Sequence, residues 1–506
     1  MTSRTGLDRG LLAISSVVVL GAIMSILDTT IVNIAINHLS QDFDAPLATI
    51  QWVSTGYLLA LATVIPLTGW AADRFGTKRL YITSLILFLA GSALSGMAWS
   101  AESLIGFRIL QGLGGGMIMP AGMTILTQAA GPERIGRVMS VVGAPMLLGP
   151  ILGPVLGGWL VDDVSWRWIF YVNIPIGAVA LVLAVRILQP DKPQPTQKLD
   201  ALGLALLSPG LAALVYGLSE TASAGGLGSA QAWAPVLAGV LLLAAFARHA
   251  LRASQPLIDV RLFRERAVAP PAIAMVLFAS AFFGAMLIVP LYYQVVHGLT
   301  ALQAGLMLLP QGVGAAIMMV IGGRVVDRTG AKRVVLPGLV AIAAGMAVFT
   351  QVGADTSLWL LGGAAFVIGL GMGATMMPTM ASAYQTLTRP QVARATTAFN
   401  IIQRGGGAVG IALLSVVLAN QLAAQLPGAA GAGEGLAAAQ QASATARAQT
   451  APLIAEAFGH TFTWAVVLIL LALIPAWFLP WSKPPASEAP PVPAREEEPA
   501  PVPVEV

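Results

Sequence analysis

The stretch "GWAADRFGTKRL" (residues 69–80) places four charged residues in an otherwise apolar region, and "GGRVVDRTGAKRV" (322–334) repeats its pattern. Six residues match at a constant offset of 254: Gly69, Asp73, Arg74, Gly76, Lys78 and Arg79 pair with Gly323, Asp327, Arg328, Gly330, Lys332 and Arg333. A second pair of segments, "GLGGGMIMP" (112–120) and "GLGMGATMMP" (369–378), agrees at offsets of 257 to 258. The chain therefore contains two related halves.

The composition indicates an integral membrane protein. The 506 residues are 57% hydrophobic and 10% charged, whereas a soluble domain is about 25% charged. Cysteine is absent, which excludes disulfides, thiol catalysis and cysteine metal sites, and the four His residues show no ligand spacing. The pI near 9.5 is explained by basic loops at one membrane face, so we expect no nucleic-acid partner.

Fourteen segments are long and apolar enough to cross a bilayer, which takes about 20 residues each. They are residues 11–36, 49–71, 79–98, 103–127, 138–160, 168–188, 201–219, 232–249, 268–292, 300–323, 334–353, 357–381, 395–420 and 460–480. The first is too long for the apolar core of a signal peptide and reads as a retained span. An even number of spans places both termini on one side.

The basic residues orient these spans. With the N-terminus in the cytoplasm, 23 of the 27 Lys and Arg residues fall in cytoplasmic segments and 2 fall outside. The positive-inside rule therefore favours cytoplasmic N- and C-termini. The repeat predicts an N-terminal six-helix half (1–190), two linker transmembrane helices with cytoplasmic flanks (191–266) and a C-terminal six-helix half (267–480). Residues 421–458 are expected outside, and the Pro- and Glu-rich residues 481–506 form a disordered cytoplasmic tail.

Four motifs carry a resemblance to a known family. The pattern G-x-x-x-D-R-x-G-x-K-R between the second and third helices resembles the signature loop of the major facilitator superfamily. "GAPMLLGPILGPVLGGWL" (143–160) resembles the antiporter motif of its drug:proton antiporter branches, and "LDTTIVNIAI" (27–36) a motif of the fourteen-helix family. "RILQGLGGGMIMP" (108–120) resembles the helix-four motif with a proton-linked Arg. The resemblance implies an all-α major facilitator fold of 14 transmembrane helices.

The repeated loop is interpreted as a cytoplasmic gate. Lys and Arg there follow from orientation alone, whereas an Asp adds nothing to the positive-inside bias and can bind a helix N-terminus. The resemblance implies that Asp73 latches the halves together in the outward-open state. The candidate gate residues are Gly69, Asp73, Arg74, Gly76, Arg79, Asp327 and Arg328.

The fifth span is interpreted as a hinge. Gly149, Gly153 and Gly157 recur every four residues, a face that permits close helix packing. Pro150 and Pro154 each remove a helix hydrogen bond and bend the helix. The alternative is a packing kink without a role in transport. The resemblance implies that this helix sets antiport rather than symport.

Asp28 is the strongest candidate for proton coupling, because it is the only acidic residue well inside a span. An acid in the bilayer is costly and is by default a functional hypothesis. Asp28 lies roughly 12 Å from the outer end of its helix and Arg108 roughly 8 Å from the outer end of the fourth, at 1.5 Å per residue. The two side chains can therefore meet, and separating them would favour protonation of the acid. The alternatives are an Asp satisfied by local Ser and Thr, and an Arg bound to backbone carbonyls.

Other polar residues within spans are candidates for the substrate cavity or for helix–helix contacts. They are Asn33, Tyr57, Gln111, Gln311, Asn400, Gln403 and Arg404. Arg404 stands out among them, because a buried charge needs a partner.

The sequence predicts a transporter driven by an ion gradient. The glycine run at 112–120 lacks the Lys of a phosphate-binding loop and lies inside a span, and no ATP-binding domain is evident, so no cofactor is expected. We expect a monomer that exports lipophilic, often cationic drugs in exchange for protons in a bacterial inner membrane. The alternatives are an exporter of a single metabolite, lipid or siderophore, and a membrane sensor or scaffold without transport. An enzyme is disfavoured, since no nucleophile–base or metal set is evident.

Overall fold

The computed structural model describes residues 9–130, 134, 138, 153, 156–190, 198–224, 229–384, 387, 389–425 and 444–479. These residues are almost wholly helical, because a backbone in lipid must satisfy its own polar groups. In the first half the helices are α1 (Arg9–Asp42), α2 (Leu47–Val64), α3 (Leu67–Phe75), α4 (Thr77–Gly96), α5 (Ala101–Ala130), α6 (Trp168–Tyr171) and α7 (Asn173–Ile187).

The linker forms a helix pair, α8 (Ala201–Ala224) and α9 (Ala230–Ala250). The second half contains α10 (Ala269–Val295), α11 (Ala301–Leu306), α12 (Leu309–Thr329), α13 (Lys332–Phe349), α14 (Leu358–Tyr384), α15 (Arg389–Gln425) and α16 (Ala444–Ala476). Short π and 3-10 turns occupy Leu160–Val164 and Val260–Arg264.

The predicted all-α membrane fold is confirmed. Among the described residues, twelve helices are long and apolar enough to span a bilayer, and a bent pair supplies a thirteenth span. The remaining predicted span, 138–160, lies mostly outside the described residues, so the count of fourteen stays a prediction.

Two predicted boundaries differ from the structure. The second span is not one straight helix over 49–71: it breaks at Pro66, bends by 55° between α2 and α3, and runs on to Phe75. Proline has no backbone N–H to continue the ladder, which explains the break. The last helix begins at Ala444, well before residue 460, so part of the segment expected outside is helical. Its Ala-rich start favours helix.

The repeat is visible in the backbone of the two loops. Gly76 ends α3 with φ 89°, and Gly330 ends α12 with φ 87°. Positive φ strains residues that carry a Cβ. Both loops therefore require glycine at the residue that ends the helix. Each glycine turns the chain directly into the next helix. We call the end of the helical bundle that carries these turns the glycine-turn end.

The described parts of the two halves pack together at the glycine-turn end. One buried cluster joins Leu11 of α1 and Leu126 and Ala130 of α5 to the core of the second half. At the opposite end, the cluster around Leu27, Ile31 and Phe170 contains first-half residues only. The halves are thus closed against each other at one end of the bundle.

The linker pair bridges both halves. A buried cluster joins Leu207, Leu211 and Phe246 of α8 and α9 to Ala62 of α2 and Ala398 of α15. The linker helices therefore contact the bundle on both sides of the interface between the halves.

Candidate functional site

Asp28 is the centre of a buried polar cluster in the first half. Its Oδ2 accepts a hydrogen bond from Arg108 Nη1 at 2.7 Å, and its Oδ1 accepts from Gln111 Nε2 at 2.8 Å and Asn173 Nδ2 at 3.1 Å. Gln111 also accepts a bond from Arg108 at 2.7 Å. The side chains come from α1, α5 and α7. All four are 0–1% exposed, so the cluster is shielded from water.

Arg108 also contacts a backbone carbonyl and two aromatic rings. Its Nε donates to the carbonyl oxygen of Val53 at 3.2 Å. The Tyr57 ring lies 4.1 Å from the guanidinium carbon and the Phe170 ring 5.6 Å, a cation–π arrangement. The fixed guanidinium therefore neutralises Asp28 without reaching water.

Asn173 and Ser92 belong to the cluster but are absent from the sequence-based candidates. Asn173 Nδ2 is 3.1 Å from Ser92 Oγ, which donates to the carbonyl oxygen of Phe170 at 2.9 Å. Both side chains are fully buried. The sequence contained one signal for Asn173. It lies within the predicted sixth span, where a polar side chain needs a partner.

Each described group that forms a hydrogen bond with Asp28 donates to it, which is the pattern that a carboxylate requires. A buried ion pair is stable while it is complete, whereas removing one partner leaves an uncompensated charge.

The other cavity candidates are scattered. Gln111 and Tyr57 belong to the Asp28 cluster, whereas Gln311 lies in the second half, with Nε2 3.0 Å from Met372 Sδ. Asn400 donates to the carbonyl oxygen of Thr396 at 2.9 Å, a helix contact. The half-buried Gln403 lies on α15, and the side chain of Asn33 is outside the described residues.

Arg404 has no carboxylate partner in the part of the chain that the structure describes. It is half-buried on α15 and within electrostatic range of Tyr57 in the other half. The one acid in the middle of a span, Asp28, is already engaged by three donors. Among the described residues, Arg404 is thus a cation near Tyr57 in addition to the Asp28–Arg108 pair.

The gate candidates lie at the glycine-turn end. Gly69 is buried, Asp73 and Arg74 are half-buried, and Arg79 is exposed. The side chains of Asp327 and Arg328 are outside the described residues.

The matched lysines of the two loops contact equivalent places. Lys78 Nζ donates to the carbonyl oxygens of Val185 at 2.8 Å and Leu188 at 2.5 Å, at the end of α7. Lys332 Nζ lies 4.1 Å from the Trp477 ring, directly after α16. In each half, this lysine therefore binds the end of the last helix.

The helix-five candidates fall largely outside the described residues, which include Gly153 and Gly157 but not Gly149, Pro150 or Pro154. A Cβ at Gly153 would clash with Thr30 of α1, two residues from Asp28. Gly153 therefore permits close contact with the helix that carries the buried acid.

The described residues contain no group of three or more His, Asp and Glu side chains placed to hold a metal ion. A bundle of membrane-spanning helices in two related halves, with a buried ion pair in one of them, defines a membrane transporter. The family model of the Major Facilitator Superfamily matches residues 18–411. The chain belongs to this superfamily.

Relatives named for drug resistance cover most of the chain. The "Multidrug resistance protein B homolog" of Mycobacterium tuberculosis is 42% identical over 492 residues, 94% of this chain and 91% of the relative. The "Tetracenomycin C resistance and export protein" of Streptomyces glaucescens is 31% identical over 416 residues, covering 81% and 76%. The crystal structure of the human organic anion transporter MFSD10 (TETRAN) aligns with a TM-score of 0.61 at 16% identity, covering 93% and 100%, which shows the shared fold. The chain is a multi-pass membrane protein of this transporter superfamily.

Proposed function

We propose that this transporter exports lipophilic, often cationic compounds across a bacterial inner membrane in exchange for protons, by alternating access. The buried Asp28–Arg108 pair is the observation that carries the proposal. Asp28 is the proton site and Arg108 its modulator. Both lie in a dry, neutral cluster where gain of a proton must change the contacts of Arg108.

Exchange follows from competition for one carboxylate. A proton, the guanidinium of Arg108 and a cationic group of the substrate cannot all hold Asp28 at once. A compound that draws Arg108 or Asp28 out of the cluster breaks the ion pair and uncovers the carboxylate. Coupling therefore needs no cofactor and no ATP.

The packing of the halves supports the alternating-access part. With the termini in the cytoplasm, the glycine-turn end is cytoplasmic. The shared cluster of Leu11, Leu126 and Ala130 closes it, which fits an outward-facing state. The gate residues, including Gly69, Asp73 and Arg74, lie at this closed end, where they would release the halves during rocking.

The test is drug-stimulated proton movement in proteoliposomes across a panel of lipophilic cations and neutral drugs. Asp28→Asn should abolish the proton movement, because the amide cannot exchange a proton. Glu102→Gln is the matched control: it removes an exposed acid six residues before Arg108 on the same helix and should behave like wild type.

The outcomes separate the alternatives. Proton movement that persists in Asp28→Asn contradicts the assigned site. Response to a single compound across a broad panel favours a dedicated exporter of one metabolite, lipid or siderophore, an alternative suggested by the single drug in the name of the Streptomyces relative. A protein that folds but moves neither drug nor protons favours a sensor or scaffold.

A further inference from the structure

The second half contains a pocket that none of the roles above uses. Helices α10, α12, α13, α14 and α16 line it, and it holds about 830 Å³ of empty space, mouth included. Its wall is apolar, with three Phe and three Met residues: Phe278, Phe282, Phe349, Met286, Met346 and Met372. The space therefore forms an apolar recess with an open mouth.

Glycine contacts show which part of the first half this pocket corresponds to. A Cβ at Gly112 would meet the backbone of Tyr57, and one at Gly369 would meet the backbone of Gln311. Gly369 lies 257 residues after Gly112, and Gln311 lies 254 residues after Tyr57. These are the offsets of the two repeated motifs. Gln311 is therefore the structural equivalent of Tyr57.

A second glycine pair extends the correspondence. A Cβ at Gly91 would meet Gln111, and one at Gly345, 254 residues later, would meet Ile368. Ile368 is therefore the equivalent of Gln111. Ala365, three residues earlier on the same helix, is then the equivalent of Arg108.

All three equivalents line the pocket. In the first half, Arg108, Gln111 and Tyr57 fill their space and are 0–1% exposed. In the second half, a methyl group stands where a guanidinium stands in the first half, and an Ile replaces an amide. The pocket therefore occupies the position in the second half that the Asp28–Arg108 cluster occupies in the first. Its equivalent residues are uncharged.

We propose that this pocket binds an uncharged aromatic or fused-ring group of the exported compounds. No charged side chain is among the described residues that line it, so a charged group would lose its hydration without compensation. Phe and Met side chains form an adaptable wall that suits flat apolar groups. Of the described lining residues, Gln311 has the polar side chain that can orient a ligand.

The open side of the pocket identifies where a ligand enters. Phe282, Met286, Leu308 and Gln311 are half-buried, whereas Ala315, Ile368 and Met372 are buried. The mouth therefore lies between α10 and the start of α12. The transport role of the pocket rests on the proposed function, but binding can be tested separately.

The test is photolabelling of the purified, full-length protein in nanodiscs with 3-phenyl-3-(trifluoromethyl)diazirine, a small uncharged aromatic probe. Labelled peptides are mapped by mass spectrometry, with and without excess naphthalene as competitor. Competitor-sensitive labelling is expected in α10 near residues 278–289 and in α12 near 308–315. Competition separates the pocket from the lipid-facing surface, where labelling does not saturate.

Two Ala→Phe variants in the second half provide the comparison. Ala285→Phe places a ring in the pocket and should reduce competitor-sensitive labelling at least tenfold. Ala344→Phe makes the same change on an exposed face of α13 and should leave it unchanged. Ala285→Leu, which fills less space, should give an intermediate loss and guards against a folding defect in the larger variant.

Three results would overturn the proposal: equal labelling in Ala285→Phe and Ala344→Phe, labelling insensitive to naphthalene, or competitor-sensitive labelling confined to α2 and α15. Failure of the proposed function gives a different signature. If the wild type transports nothing, yet shows saturable labelling lost in Ala285→Phe, the pocket stands and proton-coupled export does not.

Discussion

The two halves share a set of backbone contacts and differ in what those contacts enclose. Gly112 packs on Tyr57 as Gly369 packs on Gln311, and Gly91 packs on Gln111 as Gly345 packs on Ile368. The first half encloses a carboxylate with three donors, whereas the second encloses an apolar pocket. Glycines fix how closely helices approach, and the side chains between them are then free to diverge.

This difference shows how one repeated scaffold can separate two tasks. A proton site needs a dry, satisfied polar network, since a partly satisfied network is costly. A site for lipophilic groups needs unfilled apolar volume. One place cannot meet both demands, and under the proposed function each half meets one of them.

The largest expected effect concerns the ion pair. Arg108→Gln leaves Asp28 as a buried, uncompensated carboxylate and should destabilise the protein by about 3–5 kcal/mol. The double variant Asp28→Asn/Arg108→Gln removes both charges and should recover much of that loss. Thermal unfolding of the detergent-purified proteins, followed by tryptophan fluorescence, measures the difference. A double variant as unstable as Arg108→Gln would show that the pair is held by something other than its charges.

A graft tests whether the second half tolerates the chemistry of the first. Ala365→Arg places a cation at the position equivalent to Arg108, where no carboxylate lies among the described lining residues. We expect a loss of about 3 kcal/mol or more from an unpaired buried charge. Ala365→Met adds volume without charge and should cost under about 1.5 kcal/mol, since the pocket has room. Equal unfolding temperatures for the two variants would mean that the pocket reaches water or a hidden counter-ion.

The loop glycines should respond alike in both halves. Gly76→Ala and Gly330→Ala each force an L-residue into positive φ with extended ψ, a region that is essentially restricted to glycine, at a cost of about 1–3 kcal/mol. Gly106→Ala lies within α5, where a Cβ meets nothing within 4 Å, and should stabilise by about 0.5–1 kcal/mol. Unfolding temperatures should therefore shift in opposite directions. If Gly76→Ala lowered the unfolding temperature and Gly330→Ala did not, the two loops would not be equivalent.

The smallest expected effect is at the rim of the second half. His297 follows α10, with its ring 3.0 Å from the Tyr292 hydroxyl. Burial lowers the pKa of His297 below its usual value, and the nearby charge of Asp355 opposes part of the shift. The neutral form is favoured on folding, so stability is complete above about pH 6.5 and falls as the pH drops towards the lower folded pKa.

The measurement is the unfolding temperature between pH 7.5 and pH 5 for wild type and His297→Gln. The variant should lose slightly less stability on acidification. Identical acid profiles would assign the pH dependence to other groups, including the first-half cluster.

Much of this arrangement follows from the sequence. Offsets of 254 and 257 revealed the repeat, and depth along each helix predicted that Asp28 and Arg108 can meet. Asn173 was missed because one polar residue in a span carries no information about which helix it faces. The pocket could not be predicted, since its volume depends on how five helices pack around small and large side chains. The break at Pro66 was available in the sequence, but its 55° bend is set by the neighbouring helices.

That break gives the linker pair a role beyond filling space. Proline at 66 lacks the N–H that would bond the Ala62 carbonyl, and the 55° bend interrupts the helix ladder around Thr63. Ser208 of α8 is buried and donates to the carbonyl oxygen of Thr63 at 2.6 Å. In lipid, an unsatisfied carbonyl costs several kcal/mol.

Excising α8 and α9 would therefore leave the Thr63 carbonyl without the hydroxyl that Ser208 donates to it, inside the membrane. The bent second span and the helix pair are in this sense structurally linked, since a change that removes the pair must supply a new donor to this carbonyl.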